Sequence, residues 1–145
     1  MAYHYSTELR QPFEEVVSQI TENLKQQGFG IITSIDMKST LKEKLNVDFR
    51  DYRILGACNP QFAHRALGIE PEIGVMLPCN IVVHQTDNGG VRVSAVNPME
   101  TMDKSLSPDL KEVASEVSNR LRKDVDELRG QKPELTKEKE SASPV

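Results

Sequence analysis

Apolar residues recur at helical spacing in two long segments of the chain. The segment "QPFEEVVSQITENLKQQGF" carries the first stripe: Phe13, Val16, Val17, Ile20 and Leu24. The segment "SPDLKEVASEVSNRLRKDVDELRG" carries the second: Leu110, Val113, Ala114, Val117, Leu121 and Leu128. Pro12 and Pro108 suit the first turns, and Gly28 and Gly130 suit the positions just past the ends. Because each predicted helix has one apolar face, we expect each to lie on one side of a sheet.

Shorter segments rich in alternating and β-branched residues predict five strands. These segments are residues 2–7, 29–37, 51–58, 76–85 and 90–96, with short helical segments expected at 38–46 and 60–69. The turn "TDNGG" joins the last two strands as an antiparallel hairpin. We predict an α+β fold: a mainly antiparallel five-stranded sheet with both long helices packed on one face. The element order is strand, helix, four strands and helix, with short helical excursions between the strands.

Composition then divides the chain into a globular part and a tail. Of the 145 residues, 37% are hydrophobic, which is enough for one compact core, and residues 1–130 are predicted to form a single α+β domain. Residues 131–145, "QKPELTKEKESASPV", are polar and charged. Such a segment cannot bury enough apolar surface to order itself, so we predict a disordered C-terminal tail.

Charge and hydropathy limit the classes of partner. The net charge is −4 and no basic stripe is interleaved with aromatic residues, so nucleic acid is not an expected partner. The first residues, "MAYHYSTELRQ", lack the pattern of a signal peptide, and no apolar run reaches the roughly 20 residues of a membrane span. We therefore expect a cytoplasmic protein without a membrane partner, in which the cysteines are reduced.

The two cysteines of the chain lie in near mirror-image tripeptides, Cys58-Asn59-Pro60 and Pro78-Cys79-Asn80. Cys58 ends the third predicted strand and Cys79 begins the fourth, so antiparallel pairing would bring the two residues together. An Asn beside a Pro often ties its side chain to nearby backbone, and Asn97, which precedes a proline after the fifth strand, has the same setting. The sequence therefore predicts a ligand pocket at these turns, formed by the following residues: Cys58, Asn59, Pro60, Pro78, Cys79, Asn80 and Asn97.

Several kinds of chemistry remain open at this predicted pocket. Cys58, His64 and Cys79 form a set of soft ligands that would suit Zn²⁺ or Cu(I). A dithiol redox pair is a second alternative, although the spacing is not Cys-x-x-Cys. Because free cysteine is among the most buried residue types, a structural or ligand-lining role is favoured over both. His4 and His84 are interpreted as ordinary surface residues. No catalytic residue is predicted, since the chain lacks a nucleophile elbow, a phosphate loop and a dinucleotide motif.

Two blocks around the cysteines, "YRILGACNPQFAHRAL" and "GVMLPCNIVVHQ", resemble the signature blocks of the domain of unknown function 302 family. The likeness extends from "EEVVSQITENLKQQGFG" through "VRVSAVNP", which is nearly the whole predicted domain. The resemblance implies a fold similar to that of the TATA-binding protein, often seen as a dimer. It does not imply DNA binding, because the chain is acidic and a fold alone does not specify a function.

The function predicted from these observations is the binding of a small ligand or an ion by a homodimer. Self-association is expected through a sheet edge or through the sheet face without helices, where Leu55, Val82 and Val96 are apolar. A structural or interaction module without a ligand is the alternative. A thiol- or metal-dependent enzyme is the third possibility, and the identity of any cofactor is left open.

Overall fold

The computed structural model describes residues 2–102 and 106–129. Its strands are β1 (His4–Leu9), β2 (Gly30–Asp36), β3 (Tyr52–Cys58), β4 (Cys79–Gln85) and β5 (Val91–Val96). Its α-helices are α1 (Phe13–Gln26), α2 (Met37–Leu45), α3 (Pro60–Ile69), α4 (Pro98–Thr101) and α5 (Pro108–Arg129), and a 3-10 helix spans Pro71–Met76. The predicted tail, residues 131–145, lies outside the described residues.

The strands form one antiparallel sheet in the order β1-β5-β4-β3-β2, which confirms the predicted fold class. The hairpin between β4 and β5 closes where the Thr86 N–H donates to the Gly90 carbonyl, at 2.8 Å. Gly89 in this turn has a φ of 87°, a conformation that a side chain would disfavour. The predicted Asn-Gly turn is therefore present, and it sets the register of the two central strands.

Both long helices cover the same face of the sheet, as their single apolar stripes predict. Helix α1 packs on β2 and β4, and α5 packs on β1 and β5. The core residues that are fully buried come from both layers: Val16, Ile20 and Leu24 of α1, Leu121 of α5, and Ile81, Val83 and Val93 of the sheet. Leu55 also lies in this core, so its predicted place on the face without helices is wrong. Within the described ranges, no helix is both long and apolar enough to cross a membrane.

One edge of the sheet has little helical cover. Strand β2 is an edge strand, and every one of its residues except Ile31 is exposed. Helix α2, which follows β2 directly, contributes no buried residue to the described chain. The Asp36 carboxylate caps α2 by accepting a hydrogen bond from the Ser39 N–H, so the helix is held locally rather than by packing.

Candidate functional site

A cavity of about 290 Å³ lies between α3, α5 and the end of the sheet where β3 stops and β4 starts. Its walls are almost wholly apolar. The lining residues are Phe29, Ile32, Ala57, Cys58, Asn59, Phe62, Ala63, Ala66, Leu67, Leu77, Pro78, Cys79, Pro98, Met102, Leu110, Val113, Ala114 and Val117. The sheet end, α3 and α5 therefore line a partly open space that is suited to a hydrocarbon rather than to an ion.

Both cysteines line this cavity as free thiols. Cys79 pairs across the sheet with Ala57, the residue before Cys58. The Cα atoms of the two cysteines are therefore at most about 9 Å apart, from one antiparallel pair distance and one peptide step. The predicted juxtaposition at neighbouring strand ends is confirmed. The two residues are one position out of register, and they reach the same cavity because β3 ends at Cys58 and its chain turns into α3.

Burial controls the chemistry of the Cys79 thiol. Removal from water, with a smaller contribution from Cys58 nearby, raises the pKa of Cys79 to about 11. Cys79 therefore remains a neutral thiol near pH 7. Since the thiolate is the form that attacks electrophiles and ligates metals, this side chain acts as part of an apolar wall at neutral pH.

Asn59 begins α3 and fastens one end of the cavity. Its side-chain oxygen accepts a hydrogen bond from the Phe62 N–H at 3.4 Å, and Pro60 occupies the first turn of the helix. Its amide nitrogen donates to the Gln27 carbonyl, just past α1, at 3.3 Å. Asn59 therefore ties its side chain to backbone, as predicted, and acts as a brace between the start of α3 and the end of α1.

The same carbonyl joins α5 to this brace. The Arg120 guanidinium of α5 donates to the Gln27 oxygen at 3.0 Å and lies 5.0 Å from the centre of the Phe62 ring. Gly28 allows the close approach, because its φ is 89° and a Cβ there would lie 2.9 Å from the Asn59 amide nitrogen. Three helices thus meet at one carbonyl oxygen beside the cavity.

Asn97 has the same role at the start of α4. It is buried, and its side-chain oxygen accepts hydrogen bonds from the Met99 N–H at 3.1 Å and the Ser118 hydroxyl at 2.8 Å. Its amide nitrogen donates to the Ala2 carbonyl at 3.4 Å. Asn97 therefore connects the start of the chain, α4 and α5. It does not line the cavity, whereas its neighbour Pro98 does.

Asn80 does not behave like the other two asparagines. It is exposed, and its side chain makes no hydrogen bond with the described residues. The reason is strand alternation: Cys79 points to the helix side of the sheet, so Asn80 points to the face without helices. The mirror-image tripeptides are thus unlike in structure. Asn59 precedes a helix, whereas Asn80 lies inside a strand, and only Pro78 of the two prolines lines the cavity.

The predicted metal ligands are not assembled. His64 is exposed on α3 and does not line the cavity, because the residues of α3 that face it are Phe62, Ala63, Ala66 and Leu67. Among residues 2–102 and 106–129, no three His, Cys, Asp or Glu side chains are grouped as a metal site. His64 lies two positions from both Phe62 and Ala66, so it projects from the opposite face of α3, away from the two thiols.

The contribution of the helices to the site was not predicted from the sequence. Phe62, Ala63, Ala66 and Leu67 recur at the spacing of one helix face in the segment "PQFAHRALGI". That stripe was available from the sequence, and it predicts that α3 covers an apolar surface. The apolar stripe of α5 was predicted, but its contribution to the cavity depends on the packing of α3 against α5, which the sequence pattern does not show.

Comparisons with known proteins agree with this architecture. A family model described as Domain of unknown function DUF302 matches residues 5–128. An uncharacterized protein of Aquifex aeolicus (strain VF5) is 22% identical in an alignment 122 residues long, and the alignment covers 82% of this chain and 78% of that protein. The crystal structure of an uncharacterized conserved DUF302 protein from Bacillus stearothermophilus is similar with a TM-score of 0.80 and 32% identity, covering 87% of this chain and 98% of that one.

Proposed function

Since the chain belongs to the DUF302 family, whose function is unknown, we propose that it binds a small apolar molecule in the cavity beside Cys79. The supporting observation is the composition of the wall: aliphatic and aromatic side chains from α3 and α5 face Cys79, whose thiol is neutral at pH 7. A volume of about 290 Å³ is at the small end of the roughly 300–1,000 Å³ typical of small-molecule sites. The proposed ligand is therefore compact, with about ten non-hydrogen atoms or fewer.

The same wall disfavours the other predicted functions. An ion would lose its hydration against apolar side chains and would gain no compensating ligand set from the described residues. Thiol chemistry would require a thiolate, and burial opposes its formation at Cys79. A structural module without a ligand remains the competing function, because the cavity could be a packing defect that binds nothing.

Binding of naphthalene, measured by ligand-observed NMR, tests the proposal. Ala63→Phe places a ring inside the cavity, and His64→Phe places the same ring on the outer face of the same helix. We expect the parent chain and His64→Phe to bind naphthalene and Ala63→Phe to lose binding. Absence of naphthalene binding by the folded parent chain would favour a structural module without a ligand. Equal binding by the two variants would show that naphthalene binds outside this cavity.

We also propose that the protein is a homodimer joined through β2 and α2. An edge strand offers unpaired backbone groups to a second copy, and natural proteins usually cover or charge such edges. Here the edge carries apolar side chains instead: Ile32, Ile35, Leu45, Val47 and Phe49 are all exposed. Pairing of β2 with its symmetry mate around a two-fold axis would extend the sheet and bury this surface.

Light scattering at micromolar concentration tests the dimer. The monomer mass is 16.3 kDa, and we expect about twice that value. Ile35→Lys, at a position 45% exposed on β2, should shift the mass towards the monomer, while Val75→Lys, at a position 82% exposed outside this surface, should not. A monomeric parent chain, or equal effects of the two variants, would contradict this interface.

A further inference from the structure

A second concavity, of about 460 Å³, lies on the sheet face that no long helix covers. It is polar, unlike the cavity beside Cys79. Its lining includes the side chains of His4, Tyr52, Val82, His84, Arg92 and Ser94. They project from β1, β5, β4 and β3, so four neighbouring strands hold them in place. We call this concavity the open-face groove.

Arg92 is the unusual residue of the open-face groove. Its guanidinium makes no hydrogen bond with residues 2–102 or 106–129, and the Glu8 carboxylate oxygen lies 3.9 Å from its nearest nitrogen. By contrast, Arg50 donates to the Asp87 carboxylate at 2.7 Å and Arg53 donates twice to Glu14. A guanidinium carries five donors in a planar fork that fits an anionic oxygen pair. Apart from this long ion pair with Glu8, the hydrogen-bonding capacity of Arg92 is unused at the wall of the groove.

Two further polar groups lie beside Arg92. His84 is its partner across β4 and β5, and Tyr52 is the partner of His84 across β3 and β4, so the three form one row, which Glu8 of β1 continues on the other side of Arg92. The Tyr52 and His84 rings stack, with centroids 5.2 Å apart. His84 Nδ1 lies 3.2 Å from the Gln85 carbonyl, which can only accept, so Nδ1 carries the proton and Nε2 is left for another partner. The row therefore offers a cation, an imidazole nitrogen and a phenol.

The rest of the open-face groove suits a short hydrocarbon body. Val82 and Val96 lie further along it, with the Ser94 hydroxyl between β4 and β1. Val96 is four residues beyond Arg92 on β5, which corresponds to roughly 13 Å of strand. His4, the partner of Val96, stands at that far end. No aspartate or glutamate side chain lines the groove within the described chain.

We propose that the open-face groove binds a small organic acid, with its carboxylate on Arg92 and its hydrocarbon body along Val82 towards His4. The class follows from charge: the Arg92 guanidinium has only one long ion-pair contact, to Glu8 at 3.9 Å, and no acid lines the groove within the described chain. This site is separate from the cavity beside Cys79 and does not depend on a ligand there. A dimer joined at β2 would leave the groove accessible.

Titration of the full chain with sodium hexanoate, followed by amide NMR shifts, tests the proposal, with hexanamide as the neutral match. We expect hexanoate to shift the amides of β4 and β5 beside the groove, and hexanamide to bind about tenfold more weakly or not at all, since a charge-assisted pair is lost. Inorganic phosphate should bind less well than hexanoate because it lacks a hydrocarbon chain to contact Val82. Equal binding of hexanoate and hexanamide, or hexanoate shifts confined to α3 and α5, would overturn the proposal.

Three variants locate the anion. Arg92→Gln should weaken hexanoate about tenfold, whereas Arg50→Gln should not, although the two arginine side chains are equally exposed at 40% and 39%. Glu8→Gln should tighten binding, because it removes the acid nearest to Arg92. Amide spectra and thermal midpoints confirm that each variant is folded. If Arg92→Gln and Arg50→Gln bind hexanoate alike, or Glu8→Gln weakens binding, the assignment of the site to Arg92 fails.

Discussion

Replacement of Asn97 by alanine should be the most destabilising of three matched asparagine substitutions. The side chain is buried and makes three hydrogen bonds, to the Met99 N–H, the Ser118 hydroxyl and the Ala2 carbonyl. Loss of a helix cap costs about 1 kcal/mol. Each of the other two bonds adds about 1 kcal/mol, because their partners stay away from water. Asn97→Ala should therefore lower the free energy of unfolding by about 3 kcal/mol.

The other two asparagines provide the internal scale. Asn59→Ala removes a cap and one bond to the Gln27 carbonyl, which still accepts from Arg120, so the cost should be about 1–2 kcal/mol. Asn80 is exposed and bonds to no described residue, so Asn80→Ala should change stability by less than about 0.5 kcal/mol.

Urea unfolding of the three variants measures these differences, with equal m-values required for the comparison. The predicted order of destabilisation is Asn97→Ala, then Asn59→Ala, then Asn80→Ala. A cost for Asn80→Ala equal to that for Asn97→Ala would refute the reasoning, because it would mean that the Cys-Asn motif acts through pairing of its two halves and not through helix starts.

Three more predictions concern single positions. With Cys58→Ser as background, Cys79 should react with a disulfide reagent about tenfold more slowly than an ordinary thiol, as its pKa near 11 leaves little thiolate; a normal rate would contradict its burial. Gly56→Ala should lower the free energy of unfolding by about 1–3 kcal/mol, because a Cβ there would overlap neighbouring side chains. Gly30→Ala, which has open space around it, should be nearly neutral in thermal unfolding, and equal losses of stability in the two variants would be inconsistent with the packing. Burial, with a smaller contribution from Glu127, raises the pKa of Asp124 from its ordinary 3.8 to about 8. Because the folded chain then binds a proton that the unfolded chain has lost, the free energy of unfolding should fall as the pH rises from about 4 to 8. Asp124→Asn should abolish that fall, and an unchanged pH profile of stability in this variant would refute the prediction.

The fold was predictable because the two long helices and the five strands each carried a recognisable sequence pattern. The stripe from Phe13 to Leu24 located α1, and the Asn-Gly turn located the β4–β5 hairpin. The family resemblance is confirmed as well. The placement of Leu55 was wrong, because Leu55 and Ala57 share the face that packs on the helices, and Cys58, one position further on, reaches the cavity only at the end of the strand. The last residue of a strand is where alternation stops being informative.

The adjacency of the two cysteines was predictable, but the character of the cavity that they line was not. Adjacency of Cys58 and Cys79 follows from the antiparallel order alone, whereas the apolar wall depends on how α3 packs on α5, which no local pattern specifies. Asn80 was interpreted as a brace because its neighbours mirror those of Asn59. Backbone conformation separates the two, and it depends on whether the proline comes before or after the Cys-Asn pair.

A crystal structure of the full chain under xenon pressure tests the proposed apolar cavity most directly. Xenon enters dry apolar cavities and gives an anomalous signal that locates it. The account predicts a xenon atom between α3, α5 and Cys79, and its loss in Ala63→Phe but not in His64→Phe. Xenon bound elsewhere only, or a cavity closed by side-chain repacking around Phe62, would contradict the account.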